Sequence, residues 1–170
     1  PASSAGATHD PAAVTLQPKV LIELQQFVKT LSTNYHKNPF HNLQHACHMV
    51  RSVSELLDHF LAGDKPNKLL ARDPMAVFCI TLACIIHDMD HPAVSNTTLM
   101  EEDADMAEYF NNTCLTEQNA LDIAWELLTG ETCENLLQCI CSHSPSELER
   151  FRKYMVHAML ATDKLDSSLW

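Results

Sequence analysis

The feature that most constrains this chain is a run of about ten residues, 77–86, that is apolar on every side. It falls well short of the ~18 residues that a membrane span needs, and it leaves no polar face for water. Asp73 and Pro74 stand just ahead of it as a helix cap and a first helical residue. Residues 75–86 are therefore predicted to form a helix buried at the centre of a bundle. The run ends in His87-Asp88-Met89-Asp90-His91. Four ionisable groups at the end of a buried helix need compensation, because burying a charge is costly unless it is paired or metal-bound.

The neighbouring segments supply the rest of a bundle. Val20, Leu24, Phe27, Val28 and Leu31 share one helical face. Pro39 disfavours helix at Asn38, and a second helix is predicted over 42–61 with the stripe Leu43, Ala46, Met49, Val50, Val53, Leu57 and Phe60. Residues 63–68 read as a turn. Ser95 can cap a short helix toward Met100, and the acidic stretch 101–108 reads as a solvated face. Further helices are predicted over 116–128 and 132–141. Pro145 opens a last one, with Leu148, Phe151, Met155 and Met159 inward. Residues 1–18, rich in Pro, Ala, Ser and Thr, read as a flexible linker, and the domain is expected to occupy 19–170. The fold class is all-α, a compact helical bundle.

Charge excludes one class of partner. With 11 Lys+Arg against 22 Asp+Glu the formal charge is −11, which argues against nucleic acid, whose binding runs on basic patches. A small phosphate ester remains accessible if bound cations invert the local charge. Seven cysteines, an odd number set mainly in apolar helical patterns, suit reduced thiols in a cytoplasmic protein, or in the cytoplasmic portion of a larger one, better than a disulfide framework. No secretory signal or membrane span is expected within this segment, so membrane or regulatory domains would lie outside it. The oligomeric state is open.

The chemistry concentrates in two strings. His41 and His45 are four apart and share a helix face, and the His87-Asp88 pair closes the buried helix. Taken alone, His45 is more often a satisfied polar residue than a ligand, and a lone His-Asp dipeptide is close to chance. Together they form a metal-ligand set: imidazole and carboxylate suit zinc, iron or manganese, and carboxylate with water suits magnesium. His48 has no such partner and reads as an ordinary surface or core histidine.

The string Asn38-Pro39-Phe40-His41-Asn42-x-x-His45-Ala46, followed by His87-Asp88-x-Asp90-His91-Pro92-x-x-x-Asn96, resembles the class I cyclic-nucleotide phosphodiesterases of the HD superfamily. Leu115-Thr-Glu117-Gln-Asn119 and Leu160-Ala161-Thr162-Asp163 extend the resemblance from about residue 20 to the C-terminus. It implies hydrolysis of cAMP, cGMP or both to nucleoside 5′-monophosphates by a hydroxide bridging two divalent metals. His41 would be the general acid toward the leaving 3′ oxygen. His45, His87 and Asp88 would bind the tight metal, zinc. Asp88 would bridge to a second, magnesium, with manganese as a substitute. His91, Glu117 and Thr162 would steady metal-bound waters, with Asp163 beside them; Glu117 would also help orient His41, and Asp90 would be structural.

Two departures carry consequences. Ala93 stands where the family commonly has glycine, so a positive φ there would be strained. The family's domain is roughly twice as long, and its last metal-binding Asp and its purine clamp are expected beyond Trp170. The fragment alone is therefore expected to be weakly active or inactive. The competing readings are a truncated or degenerate HD module with a binding or regulatory role, and another HD-type nucleotide phosphohydrolase.

Overall fold

A computed structural model describes residues 15–62 and 66–163. Among them the chain forms eight α-helices and no strand: α1 Pro18–Thr33, α2 Leu43–Ala62, α3 Pro74–Ile86, α4 Asn96–Glu102, α5 Ala104–Tyr109, α6 Leu115–Thr129, α7 Glu134–Cys141 and α8 Pro145–Leu160. Short 3-10 turns at Leu70–Arg72 and Glu131–Cys133 lead into α3 and α7. The all-α expectation holds.

The central helix is α3, packed on α2 and α8. Asp73 caps it, accepting from the Ala76 N–H at 3.0 Å, and Pro74 occupies its first turn. Met75, Cys79, Leu82, Ala83 and Ile86 are buried in a core that includes Phe27, Leu31, Ala120, Phe151 and Met159, and Cys84 is buried beside them in sequence. Phe151 is fully buried, against Phe78 and Trp125, so truncating it would cost roughly 3–5 kcal/mol. Burial also pushes the Cys79 thiol up to about 12, so it behaves as a small apolar side chain.

Side-chain caps fix the other boundaries. The Asn42 carboxamide accepts from the His45 N–H at 3.0 Å at the start of α2. Ser95 caps α4 through the Thr98 N–H, and Ser144 caps α8 through the Glu147 N–H.

Three expectations need adjustment. The stretch 101–108 is not merely a solvated face. Asp103 ends α4 and caps α5 through the Met106 N–H, and α5 turns Ala107 onto a small second core with Leu99, Phe110 and Leu115. The α2 stripe is only partly covered: Ala46 and Leu57 are buried, whereas Leu43 and Phe60 are exposed, because α2 packs mainly on α3. Helix begins at Pro18, inside the expected linker, and residues 1–14 and 63–65 of the expected linker and turn lie outside the described residues.

Candidate metal centre

The polar cluster forms where α3 ends. After Ile86 the chain leaves the helix with His87 and Asp88 still buried, and Asp90 adopts φ 58°. That turn is tied down from several sides. The Asp90 N–H donates to the Asn34 carbonyl at 2.9 Å, and the Tyr35 hydroxyl donates to the Ile85 carbonyl at 2.6 Å. Asn38 Nδ2 reaches the His91 carbonyl at 2.7 Å and the His41 carbonyl at 3.1 Å, drawing the start of α2 against the α3 exit.

The result is a ring of imidazoles around one carboxylate. Asp88 Oδ2 lies 3.2 Å from His87 Nε2 and 3.6 Å from His45 Nε2, and Oδ1 lies 3.0 Å from His41 Nδ1. Two overlapping triads thus place ligand atoms within 4.8 Å of one another: His45, His87 and Asp88, and His41, Asp88 and His91. These short approaches are off the line a hydrogen bond needs. Asp88 Oδ2 and His41 Nδ1 are buried without a hydrogen-bond partner.

Tautomers sharpen the point. His87 Nδ1 sits 3.2 Å from the Cys84 carbonyl, which can only accept, so Nδ1 carries the proton in the neutral ring and Nε2 presents a lone pair. That lone pair faces the Asp88 carboxylate at 3.2 Å. Two acceptors aimed at each other are unfavourable unless a cation or proton stands between them. Burial opposes the charged form of Asp88, but the close imidazoles of His87 and then His41 outweigh it and hold the carboxyl at about 2. Burial lowers His45, keeping its ring in the neutral form that binds metal. The donor set therefore fits a divalent cation: two imidazole nitrogens and a carboxylate whose second oxygen remains available.

His91 is placed differently. Its Nδ1 accepts from the Ala93 N–H at 2.9 Å, so its neutral ring carries the proton on Nε2 and offers a donor there. It stacks on His41 at 3.9 Å and 9°. Ala93 has φ 66°, the left-handed conformation in which a side chain is strained, as the sequence warned. Asp90 is structural as expected, bound by His36 Nε2 at 2.8 Å and by Asn119 Nδ2 at 3.0 Å.

The remaining expected residues form a second cluster. Asn96 Nδ2 donates to Glu117 Oε2 at 2.9 Å and to Asp163 Oδ2 at 3.2 Å. The carboxylate beside His41 Nδ1 is that of Asp88, whereas Glu117 bonds Asn96 and Thr116. The Thr162 hydroxyl turns back to the Met159 carbonyl at 2.7 Å, and it is Asp163 that enters the cluster. His48 is exposed. Sequence reasoning gave no role to Asn96 or Asn38; both stood within the quoted strings, and their positions beside a cap and a proline were the available signal.

A cavity of about 550 Å³ lies at the opposite end of α3, lined by Val20, Leu24, Met75, Phe78, Leu136 and Arg150 among others. It is lined by none of His41, His45, His87, Asp88 and His91, so chemistry rather than volume locates the site.

Residues 40–166 match the 3′5′-cyclic nucleotide phosphodiesterase family. The chain belongs to that family. It is similar to rat 3′,5′-cyclic-AMP phosphodiesterase 4C, 32% identical over 141 residues that make up 82% of this chain and 24% of the relative. It is also similar to the cGMP-specific 3′,5′-cGMP phosphodiesterase 3 of Dictyostelium discoideum, 28% identical over 81% of this chain and 28% of the relative. The crystal structure of the phosphodiesterase domain of the RhoPDE fusion protein from the choanoflagellate Salpingoeca rosetta shares the fold at TM-score 0.70 and 22% identity, covering 88% of this chain and 43% of that one. The chain thus spans less than a third of these curated relatives and under half of the solved domain.

Proposed function

We propose that this chain supplies the metal-binding part of an active site that hydrolyses 3′,5′-cyclic nucleotides to nucleoside 5′-monophosphates in the protein it belongs to. The observation that carries the reading is the unpartnered Asp88 Oδ2 facing the lone pair of His87. His45, His87 and Asp88 would hold a tight cation, zinc, and Asp88 would also help hold a second, magnesium or manganese. Bound there, the cations would neutralise phosphate charge and lower the pKa of a water. Relatives named for cAMP and for cGMP support the substrate class and leave the choice of purine open.

His41 suits proton delivery to the leaving 3′ oxygen. Its Nδ1 is turned to Asp88 and its ring is braced by stacking on His91 and by the edge of Phe40 at 5.1 Å, which leaves Nε2 as the transferring atom. His91 Nε2–H is poised to orient a water, and Glu117, Thr162 and Asp163 supply oxygens on the α6 and α8 side. The buried thiols of Cys79, Cys84, Cys133 and Cys141 support a reducing, cytoplasmic setting, and no helix among the described residues is long and apolar enough to cross a membrane.

The test uses the full-length protein. His41→Ala is expected to lower kcat by ~10²–10⁴-fold with a smaller change in KM, and substrates with a better leaving group should restore part of the loss. Near-normal kcat would remove His41 from the role of acid. Residues 1–170 alone are expected to show little turnover with zinc and magnesium present; robust turnover would mean that a ligand inside this segment, Asp163 first, completes the site.

A further inference from the structure

Asn96 is buried at the first position of α4, and its carboxamide uses every hydrogen-bonding site it has. Nδ2 donates to Glu117 Oε2 at 2.9 Å and Asp163 Oδ2 at 3.2 Å, while Oδ1 accepts from the Thr116 N–H at 3.0 Å and the Thr116 hydroxyl at 3.1 Å. A backbone N–H can only donate, so the orientation of the amide is not ambiguous: oxygen faces Thr116 and nitrogen faces the carboxylates.

Each half answers a local need. Helix α6 starts after Cys114, which sits in the left-handed region at φ 45° and provides no side-chain cap. The Thr116 N–H lies in the first turn, where an N-cap side chain normally accepts, and Asn96 supplies that acceptor from another helix. On the other half, Glu117 and Asp163 come within 4.8 Å of each other and, if both are ionised, repel; a single NH₂ group bridges them. The two carboxylates lie 21 and 67 residues away in sequence. Asn96 itself follows His91 by five residues, through the strained Ala93 turn and the Ser95 cap.

We infer that Asn96 is a positioning residue with two separable tasks: it caps α6 in place of a local side chain, and it holds Glu117 and Asp163 as a pair registered to the histidine-bearing loop. That the pair serves waters of a second cation rests on the function proposed above; the cap and the pairing do not.

The variants Asn96→Ala and Asn96→Asp separate the tasks, since Asp keeps the acceptor but loses both donors. In ¹⁵N-labelled chain 1–170, Asn96→Ala is expected to lower Thr116 amide-exchange protection by roughly tenfold, and Asn96→Asp to retain it within about threefold. In the unaltered chain the two Asn96 Nδ2 protons should exchange slowly, and Glu117→Gln should accelerate or shift one of them. Manganese binding to the zinc-loaded chain, followed by EPR, supplies a readout that a purely structural asparagine would not move. Asn96→Asp should change the manganese affinity by about tenfold or more despite its intact cap, a size typical of lost outer-shell partners. Wild-type manganese binding in Asn96→Asp, or an Asn96 amide indifferent to Glu117→Gln, would overturn the pairing; equal loss of Thr116 protection in both variants would overturn the remote cap. If the unaltered chain binds no manganese, the two-cation reading fails, and the amide signals alone decide the role of Asn96.

Discussion

At its N-terminal end α3 carries Asp73 and just past its C-terminal end Asp88, and the protein treats these two aspartates in opposite ways. Asp73 is fully answered by protein. It accepts from the Ala76 N–H at 3.0 Å, from the Tyr154 hydroxyl at 2.7 Å and from Arg150 at 2.6 Å, and Glu147 helps hold Arg150 in place at 3.0 Å. Asp88 is more deeply buried, yet it is ringed by imidazoles whose nitrogens approach without good hydrogen-bond geometry. The first arrangement closes on itself and stabilises the fold. The second is left open at a position where an open carboxylate is expensive, which is the mark of a site that binds something.

The comparison breaks most visibly in metal affinity. Asp88→Ala and His87→Ala should each lower zinc affinity by more than ~100-fold, beyond the 10–100-fold typical of outer-shell changes, whereas Asp73→Ala should leave it unchanged in isothermal titration. Unchanged zinc binding in both former variants would erase the distinction between the two ends.

Stability should divide the other way. Asp73→Ala removes a helix cap and strands the Tyr154 hydroxyl, and it should destabilise by about 2 kcal/mol, roughly 4–8 °C in Tm for a chain this size. The ion pair adds little, because the Arg150 side chain is partly exposed and its charge is screened by solvent. This loss should be the same with and without zinc. Zinc at about 100 times its Kd should stabilise the unaltered protein by about 2.7 kcal/mol, and Asp88→Ala hardly at all.

A pH series sharpens the contrast at Asp73. The Tyr154 hydrogen bond first, then the Ala76 N–H and Arg150, hold its carboxyl below the ordinary value against the opposing effect of burial. A depressed folded-state pKa means that the stabilisation is complete above the unfolded value of about 3.9 and fades as pH falls through the folded one. The stability gap between wild type and Asp73→Asn should therefore be constant from pH 7 to about 5 and narrow below about 4. A gap that widens on acidification would show that the network is not what stabilises this end.

Much of this contrast was legible in the sequence, for reasons of range. The His41–His45 spacing, the Asp73-Pro74 start and the all-round apolar helix are local patterns, and each survives into the structure. The ring at Asp88 followed from the cost of burying His87 and Asp88, again a local argument. What the sequence hid is long-range pairing of ordinary polar residues. Tyr154 reaches Asp73 across 81 positions and Asn96 reaches Asp163 across 67, and neither residue type announces its partner. The acidic stretch 101–108 misled for a different reason: its exposed charges masked a single buried alanine, Ala107, that makes α5 a packed helix.

The smallest expected effect concerns the loop between the two polar clusters. Ala93→Gly relieves a left-handed alanine at φ 66° and should stabilise by about 0.5–1 kcal/mol after the greater unfolded-state entropy of glycine is set against the relief. The Ala93 N–H that donates to His91 Nδ1 belongs to the backbone and survives the substitution, so zinc affinity should not change. Urea denaturation with parallel zinc titration checks both statements.

The central claim, that His45, His87 and Asp88 are the ligands of a divalent cation, is tested most directly by X-ray absorption at the zinc edge of chain 1–170 loaded with one equivalent. The account predicts a first shell of nitrogen and oxygen near 2.0–2.2 Å with two imidazoles, lost in His87→Ala. A sulfur shell near 2.3 Å would place the metal on cysteine instead and contradict it.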